Sequence, residues 1–500
     1  VAIIGTGFSG LGMAIRLSQE GEDDFLLFEK DAGVGGTWRV NNYPGCACDV
    51  QSHVYSFSFE PNPEWTRMFA RQPEIRGYLE NCWKKYRLEG RTLLNTEIQR
   101  LEWDEARDLW HLRDAAGNHY TAQAVVSGMG ALSIPSIPDL KGLDSFKGHA
   151  FHSQHWDHDY DLKGKRVAVI GTGASAIQFV PEIQPLVASL DLYQRTAPWI
   201  LPKPDRAISD KERARFKHFP LVQKLWRGAL YSMLEGRVLG FTFAPWAMKM
   251  IGKLAVRYIH QQVKDPELRR KLTPDYTIGC KRILMSPNYY PALAAPNASV
   301  ITDGIREIRE HSIVTADGQE REVDAIIFGT GFTANDPIPR GTVFGRGGVD
   351  LLDTWPQGPE AYKGTVTRGF PNLFFLMGPN TGLGHNSMVY MIESQIAYVL
   401  GALKLMRRRE LLSLEVKEDE QQRWNLKLQR GLNHSVWNTG GCKSWYLHPV
   451  SGRNCTLWPG FTWRFRLLTR SFDAAAYHLK ARPFEETAVT QQPRAEEVPA

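Results

Sequence analysis

The chain has 500 residues, 43% of them hydrophobic and 23% charged; that balance excludes a disordered or collagen-like chain, and about 150 residues per domain leaves room for roughly three domains, or two large ones with an insert. Sixty basic against 54 acidic side chains give a net charge of +6, and the longest basic run is only Arg407–Arg409, so no basic stripe points to nucleic acid. No apolar run reaches the ~18 residues of a membrane span, and six cysteines are too few for a disulfide scaffold and suit a reducing compartment, the cytoplasm.

The chain opens at Val1, already inside an apolar strand, so a targeting segment ahead of it would not be visible. Val1–Ile4 runs into Gly5-Thr6-Gly7-Phe8-Ser9-Gly10 and then an amphipathic helix. In this pattern Gly5 permits a tight turn, Gly7 lets backbone approach a pyrophosphate, and Gly10 allows close packing of helix on strand. The first helical N–H groups, around Phe8 and Ser9, then face the phosphates. Glu29 closes the next apolar run, Phe25–Phe28, nineteen residues after Gly10. A carboxylate there accepts hydrogen bonds from both ribose hydroxyls and repels a 2′-phosphate, so the site suits FAD or NAD and not NADP. Cys46 and Cys48 are separated by one residue; a disulfide between them would close a strained small ring. No second pair lies nearby to complete a metal site, and the two read as buried, inert thiols.

A strand over Ala124–Ser127 leads to a proline-bearing stretch, Ile134 to Pro138, that suits a domain crossing. The segment Phe146-Lys147-Gly148-His149-Ala150-Phe151-His152-Ser153-Gln154-His155-Trp156-Asp157 then precedes a second strand–glycine–helix unit, 166 residues after the first. This unit is Arg166–Ile170 followed by Gly171-Thr172-Gly173-Ala174-Ser175-Ala176, with Ala176 in the third glycine position. One such turn is a weak signal, and two in matching contexts are a strong one. At the end of the next strand, Leu190–Gln194, Arg195 and Thr196 stand where an NAD site would carry an acid. Guanidinium and hydroxyl donors there suit a 2′-phosphate. His149, His152, His155 and His158 lack metal-ligand spacing, and no metal is assigned. Within the hinge, His152 reads as a coupling residue between domains in preference to a proton carrier.

Residues from about 206 to 275 read as a helical insert carrying Trp226, Leu230, Trp246 and Leu254. The apolar residues of 241–250 admit two uses, peripheral membrane contact or packing around a substrate pocket, and the second explains them at least as well. Asp324–Phe328 is a further strand, running into Gly329-Thr330-Gly331-Phe332, where the chain crosses back. Ile392–Arg409 reads as an amphipathic helix whose terminal arginines complement its dipole, and 482–500 as a polar tail. The resulting expectation is an α/β fold of two Rossmann-like dinucleotide-binding domains, for FAD and NADP, with a helical insert. The FAD domain would comprise 1–143 and 334–481, and the NADP domain 144–333.

Gly35-Gly36-Thr37-Trp38-Arg39-Val40-Asn41-Asn42-Tyr43-Pro44-Gly45-Cys46-Ala47-Cys48-Asp49 resembles the (A/G)-G-x-W-x4-(F/Y)-P-G-x3-D signature of type I Baeyer–Villiger monooxygenases, in the class B flavin-dependent superfamily, at every defined position. Phe146, Gly148, His152, Trp156 and Asp157 likewise fit their F-x-G-x3-H-x3-W-(P/D) fingerprint. The resemblance implies FAD in the first site, with Gly36, Thr37, Trp38 and Asp49 at the flavin, and NADPH in the second. Ser175 and Gln178 would lie near the NADP pyrophosphate, with Lys281 a further phosphate contact. Arg282, of Gly279-Cys280-Lys281-Arg282, would face the flavin as the central catalytic residue, with Asp49 holding it. Met388 would lie near the ring, and Trp445 of Ser444-Trp445-Tyr446 would reach the nicotinamide nucleotide. Asn454–Gly460 departs from the family's Gly-Lys ending, which leaves loop geometry and substrate range open.

The activity implied is oxidation of a ketone by NADPH and O2 to an ester or lactone through a C4a-peroxyflavin and a tetrahedral adduct, with NADP+ retained. A fixed cation in a dry pocket favours the anionic peroxide and stabilises the oxyanion. An N- or S-oxidising flavin monooxygenase, an NADPH-dependent flavoprotein reductase or oxidase, and a non-catalytic nucleotide sensor are the alternatives. Nothing in the sequence specifies the ketone or the oligomeric state.

Overall fold

Both glycine turns sit in parallel sheets. The computed structural model describes residues 1–333 and 338–482, so 334–337, the start of the expected 334–481 segment, and all but the first residue of the expected 482–500 tail lie outside the described residues. The first sheet is ordered Leu373–Phe375, Val125–Ser127, Ala2–Ile4, Leu26–Phe28 and Thr92–Leu93, with every pairing parallel. Strand order reverses beside Ala2–Ile4, which opens the crevice where a dinucleotide binds. There the helix Phe8–Gln19 begins. Gly10 has no alternative, because a Cβ on it would lie 1.8 Å from the Gly5 carbonyl oxygen.

The second sheet runs Ala298–Ile301, Ser189–Tyr193, Arg166–Ile170, Ala325–Phe328 and His149–His152, again all parallel. Its turn leads into the helix Ala176–Ile183. The methyl group of Ala176 is accommodated because Gly329 faces it: a Cβ there would lie 3.1 Å from Ala176 Cβ.

The insert forms four helices, Asp210–His218, Pro220–Gly236, Pro245–Gln262 and Pro266–Leu272. The late amphipathic helix spans Met388–Arg408, four residues earlier than its sequence pattern suggests, because Ser387 accepts from Val389 N and caps it. A four-stranded sheet of Val343–Phe344, Ile98–Asp104, Leu109–Asp114 and His119–Ala122 carries no motif and was not anticipated. One hydrophobic cluster joins Ile3 and Leu27 of the first sheet to Val167 and Leu190 of the second through Tyr43, Trp156 and Phe179. The two nucleotide units therefore share a packed joint.

Candidate active site

The N-termini of the two turn helices are open. Neither the helix from Phe8 nor that from Ala176 has a side-chain cap, and neither has an acid in its first turn. Elsewhere Ser209, Asp265 and Ser387 cap their helices with side-chain oxygens. Uncapped N–H groups free of nearby negative charge are what a pyrophosphate needs. Glu29 is buried at its strand end, its carboxylate accepting from Thr6 N at 2.9 Å and Asp31 N at 3.0 Å. That fixes it beside the first turn and leaves lone pairs for ribose hydroxyls. Gly36 packs on Gly7, where a Cβ would come within 2.9 Å of the Gly7 Cα. This brings the Gly35–Asp49 segment over the phosphate turn. Thr37 and Trp38 begin a short helix there, and Trp38 is buried, its indole N–H donating to Tyr55 Oη at 3.1 Å. These features fit a bound FAD.

At the second turn, Arg195 is exposed and Lys281 half-buried, and neither makes an ion pair with a described residue. Burial lowers the Lys281 pKa, and the neighbouring Arg195 lowers it further. Asp275 partly offsets both effects, and two neighbouring cations with no ion-pair partner among the described residues suit a dianionic 2′-phosphate. Thr196 stands beside them, its carbonyl accepting from Thr172 Oγ1 at 3.0 Å. Gly173 leaves open space, with a Cβ meeting only Gly329 O at 3.6 Å, and Ala174 and Ser175 follow it at the mouth of the helix. Gln178, two residues into the helix from Ala176, bridges the two nucleotide units. Its amide is engaged by the first nucleotide unit, accepting from Tyr43 Oη at 3.0 Å and Ala47 N at 3.3 Å and donating to Ala47 O at 2.8 Å.

Asp49 and Arg282 meet across 233 residues of sequence. Arg282 Nε donates to Asp49 Oδ2 at 2.7 Å and Nη2 to Oδ1 at 2.7 Å, a two-pronged ion pair. The Asp49 carboxylate raises the Arg282 pKa against the opposing effect of burial, so the guanidinium stays charged. The sequence assigns no role to three neighbours, although Tyr446 belongs to the Ser444–Tyr446 motif. Tyr446 is buried, and its hydroxyl is pushed up to about 12 by burial while Arg282 pulls it down. Lys203 sits 5.1 Å above the Phe69 ring, its pKa lowered by burial and raised by Cys48, Asp205 and Asp49. Arg237 also lies within electrostatic reach of Asp49. Aromatic–lysine proximity of this kind depends on chain crossings and leaves no spacing to read.

Met388 packs against the cluster that contains Cys280, Trp437 and Tyr446. Trp445 is 46% exposed and meets Tyr446 edge-on at 4.6 Å, so Tyr446 is the member of that loop buried beside Arg282. Cys280 and Cys442 form a disulfide, a cross-link that the low cysteine count did not suggest. Cys46 and Cys48 are buried and free, with burial driving the Cys46 thiol up to about 12, which fits inert thiols. The departing Asn454–Gly460 segment is pinned to the flavin side, Asn380 Nδ2 donating to Asn454 O at 2.7 Å and Leu457 O at 3.1 Å. A cavity of about 370 Å³ lined by Trp199, Lys249, Tyr276 and Ile278 lies on the Lys281 side, where Lys281 Nζ stands 5.0 Å over the Tyr276 ring.

The Phe146–Asp157 fingerprint forms the joint. Phe146 packs in the core under the second sheet, and Gly148 is required because a Cβ would reach 2.5 Å from Asp324 O. His152 Nε2 lies 3.0 Å from Gly331 O, and Nδ1 accepts from Gln154 N at 3.1 Å. With both ring nitrogens engaged and its pKa lowered by burial, His152 couples the crossing strand to the returning one. Trp156 packs on Phe179 at 5.2 Å, and Asp157 lies 3.0 Å from His149 Nε2.

A flavin-binding monooxygenase-like family model matches residues 1–343. A Baeyer–Villiger monooxygenase of Pseudomonas aeruginosa is 79% identical over 500 residues, covering 100% of this chain and 95% of that one. The closed crystal structure of cyclohexanone monooxygenase superposes with a TM-score of 0.87 at 26% identity, covering 96% of this chain and 99% of that chain. The structure of OTEMO in complex with FAD and NADP does so with 0.83 at 28%, covering 96% and 98%.

Proposed function

This chain belongs to the flavin-binding monooxygenase-like family, among its Baeyer–Villiger monooxygenases, and from that premise we propose that it converts ketones to esters or lactones at Asp49 and Arg282. It is an NADPH-dependent flavin monooxygenase with FAD and NADP as cofactors. Bound FAD, reduced by NADPH, would supply the activation of dioxygen.

The protein's own contribution centres on the Asp49–Arg282 pair, the single observation that carries this reading. Arg282 presents a guanidinium whose charge persists at any working pH, and a fixed cation in a partly dry site stabilises negative charge as it develops on the oxygen of an attacked carbonyl. Asp49 has both oxygens committed to Arg282; it orients the cation and is not available as a base. Trp38, held by Tyr55, and buried Tyr446 restrict water around the pair. Arg195 and Lys281 would hold the 2′-phosphate, and the uncapped helix starts at Phe8 and Ala176 the two pyrophosphates. The discontinuous domain plan, 1–143 with 334–481 around 144–333, is supported by the first sheet drawing its strands from 2–127 and 373–375 while the second draws its own from 149–328. NADPH dependence fits a cytoplasmic enzyme, and one disulfide is a single long-range cross-link, not a secreted scaffold.

The test is a ketone screen with FAD-loaded protein, reading NADPH consumption, O2 uptake and product mass. One added oxygen atom per NADPH on a ketone supports the reading. Oxidation of sulfides or amines without any ketone product transfers it to the N- or S-oxidising class, and peroxide as the only product transfers it to the oxidase class.

A further inference from the structure

The helix Pro220–Gly236 turns Gln223, Arg227 and Glu235 inward together with Leu230 and Leu234, and leaves other apolar side chains outside. Gln223 Nε2 donates to Asn62 O at 2.8 Å, and Arg227 donates to Ser56 O at 3.0 Å and Ser56 Oγ at 3.1 Å. Glu235 is buried and accepts from Asn386 Nδ2 at 2.6 Å and Thr462 Oγ1 at 2.8 Å. On the opposite side Leu221, Leu225 and Met233 are 50–68% exposed. A helix in contact with water alone carries charged and polar side chains on its outer side, not apolar ones.

The apolar surface continues beyond this helix. Phe241 and Met248 pack inward, as pocket packing requires, whereas Phe243, Trp246 and Met250 between and beside them are 57–70% exposed. Trp246, Met250 and Leu254 recur at every fourth position of the helix Pro245–Gln262 and form one stripe. Phe243 stacks on Phe461 at 5.6 Å and Phe461 meets Trp463 at 5.6 Å, which joins the stripe to exposed Leu467 on the helix Thr462–Thr469. Patches of this extent mark an interaction surface.

Its charge identifies the partner. From 219 to 264 the only acid is Glu235, which is buried, while Lys224, Lys249, Lys253 and Arg257 are exposed. From 461 to 472 there is no acid, and Arg464 and Arg470 are exposed. No helix among the described residues is long and apolar enough to cross a membrane. We propose that this face docks on an anionic lipid bilayer, with tryptophans and leucines entering the headgroup boundary and lysines and arginines meeting lipid phosphates. A second copy of the chain fits less well, because a two-fold contact through this face would set the same cations against each other. Glu235 ties the docking helix to Asn386, two residues before Met388, so the flavin-side segment is held against the bound face.

The test is flotation of the FAD-loaded full chain with vesicles of phosphatidylcholine alone and of phosphatidylcholine mixed with phosphatidylglycerol. Docking predicts co-flotation with the anionic vesicles that weakens as salt rises. Lys249→Gln and Lys253→Gln each lower the partition coefficient about fivefold, and Leu225→Ser with Trp246→Ser abolishes flotation while bound FAD and NADPH oxidation are retained. Absence of flotation with both vesicle types overturns the proposal. So does a concentration-dependent dimer in sedimentation that the Leu225→Ser, Trp246→Ser chain no longer forms, since a second copy then covers the face.

Discussion

The Cys280–Cys442 bond closes 162 residues of chain one position before Lys281 on one side and three positions before Trp445 on the other. It ties the segment of Arg282 to the loop that carries Tyr446. A closure of that length restricts the unfolded chain strongly. Cys442→Ser, or reduction with dithiothreitol, is expected to lower unfolding free energy by about 2–4 kcal/mol, read from urea titration of tryptophan fluorescence. Unchanged stability in both conditions would show that the cross-link contributes nothing to the fold.

Arg195 and Lys281 are cations without an ion-pair partner among the described residues, each within electrostatic reach of the other. A hydrogen bond to a charged group contributes about 1.5–3 kcal/mol, so Arg195→Ala and Lys281→Ala should each raise KM for NADPH about ten- to a hundredfold. KM for NADH, which lacks the 2′-phosphate, should change little. Steady-state kinetics with both coenzymes separates this from general damage to the fold, which would raise the two together.

How much of this was legible beforehand depended on distance along the chain. The glycine turns, Glu29, and the strands 166–170 and 325–328 are local patterns, and the sheets place them as the periodicity implies. Asp49 and Arg282 were paired through resemblance alone, because 233 intervening residues carry no geometric information. Gln178 shows the limit: its position after the second turn gave no sign that its amide bonds the Tyr43–Ala47 loop of the other unit. The positions of Lys203 and Tyr446 and the orientation of the helix Pro220–Gly236 were unreadable for the same reason. Which face of a helix turns inward is decided by the partners it meets, here Asn62, Ser56 and Asn386.

Three buried histidines, His53, His152 and His385, have lowered pKa values and make stability depend on acidity. Burial and Arg227 lower the His53 pKa to about 4, while Glu212 opposes them. Burial and Arg237 lower His385 to about 3, with the Glu235 carboxylate 3.8 Å from its Nε2. All three are depressed from an ordinary value near 6.5, so below that pH the unfolded chain binds protons that the folded chain refuses. Stability is therefore full above about pH 6.5 and falls as pH drops toward 4 and 3, by ~1.4 kcal/mol per pH unit for each histidine still uncharged in the folded chain. Urea unfolding at a series of pH values should show this slope, and His53→Gln should remove the share of one histidine, ~1.4 kcal/mol per pH unit.

Asp49 tests whether position or charge governs Arg282. Asp49→Asn keeps the size of the side chain but replaces one acceptor with an amide donor facing the guanidinium, so only one of the two 2.7 Å hydrogen bonds survives. Arg282 remains charged, since the ordinary pKa of a guanidinium lies far above any assay pH, but it is no longer held in one orientation. A misplacement of about 1 Å costs on the order of a hundredfold in rate, so ester formation should fall by about that factor while FAD stays bound. NADPH oxidation should continue, with hydrogen peroxide replacing ester among the products. Raising or lowering the pH should not restore the ester, because no titration is involved. Asp49→Glu, which keeps both acceptors on a longer arm, should recover part of the yield; recovery equal to wild type in Asp49→Asn would mean that Arg282 needs no carboxylate to hold it.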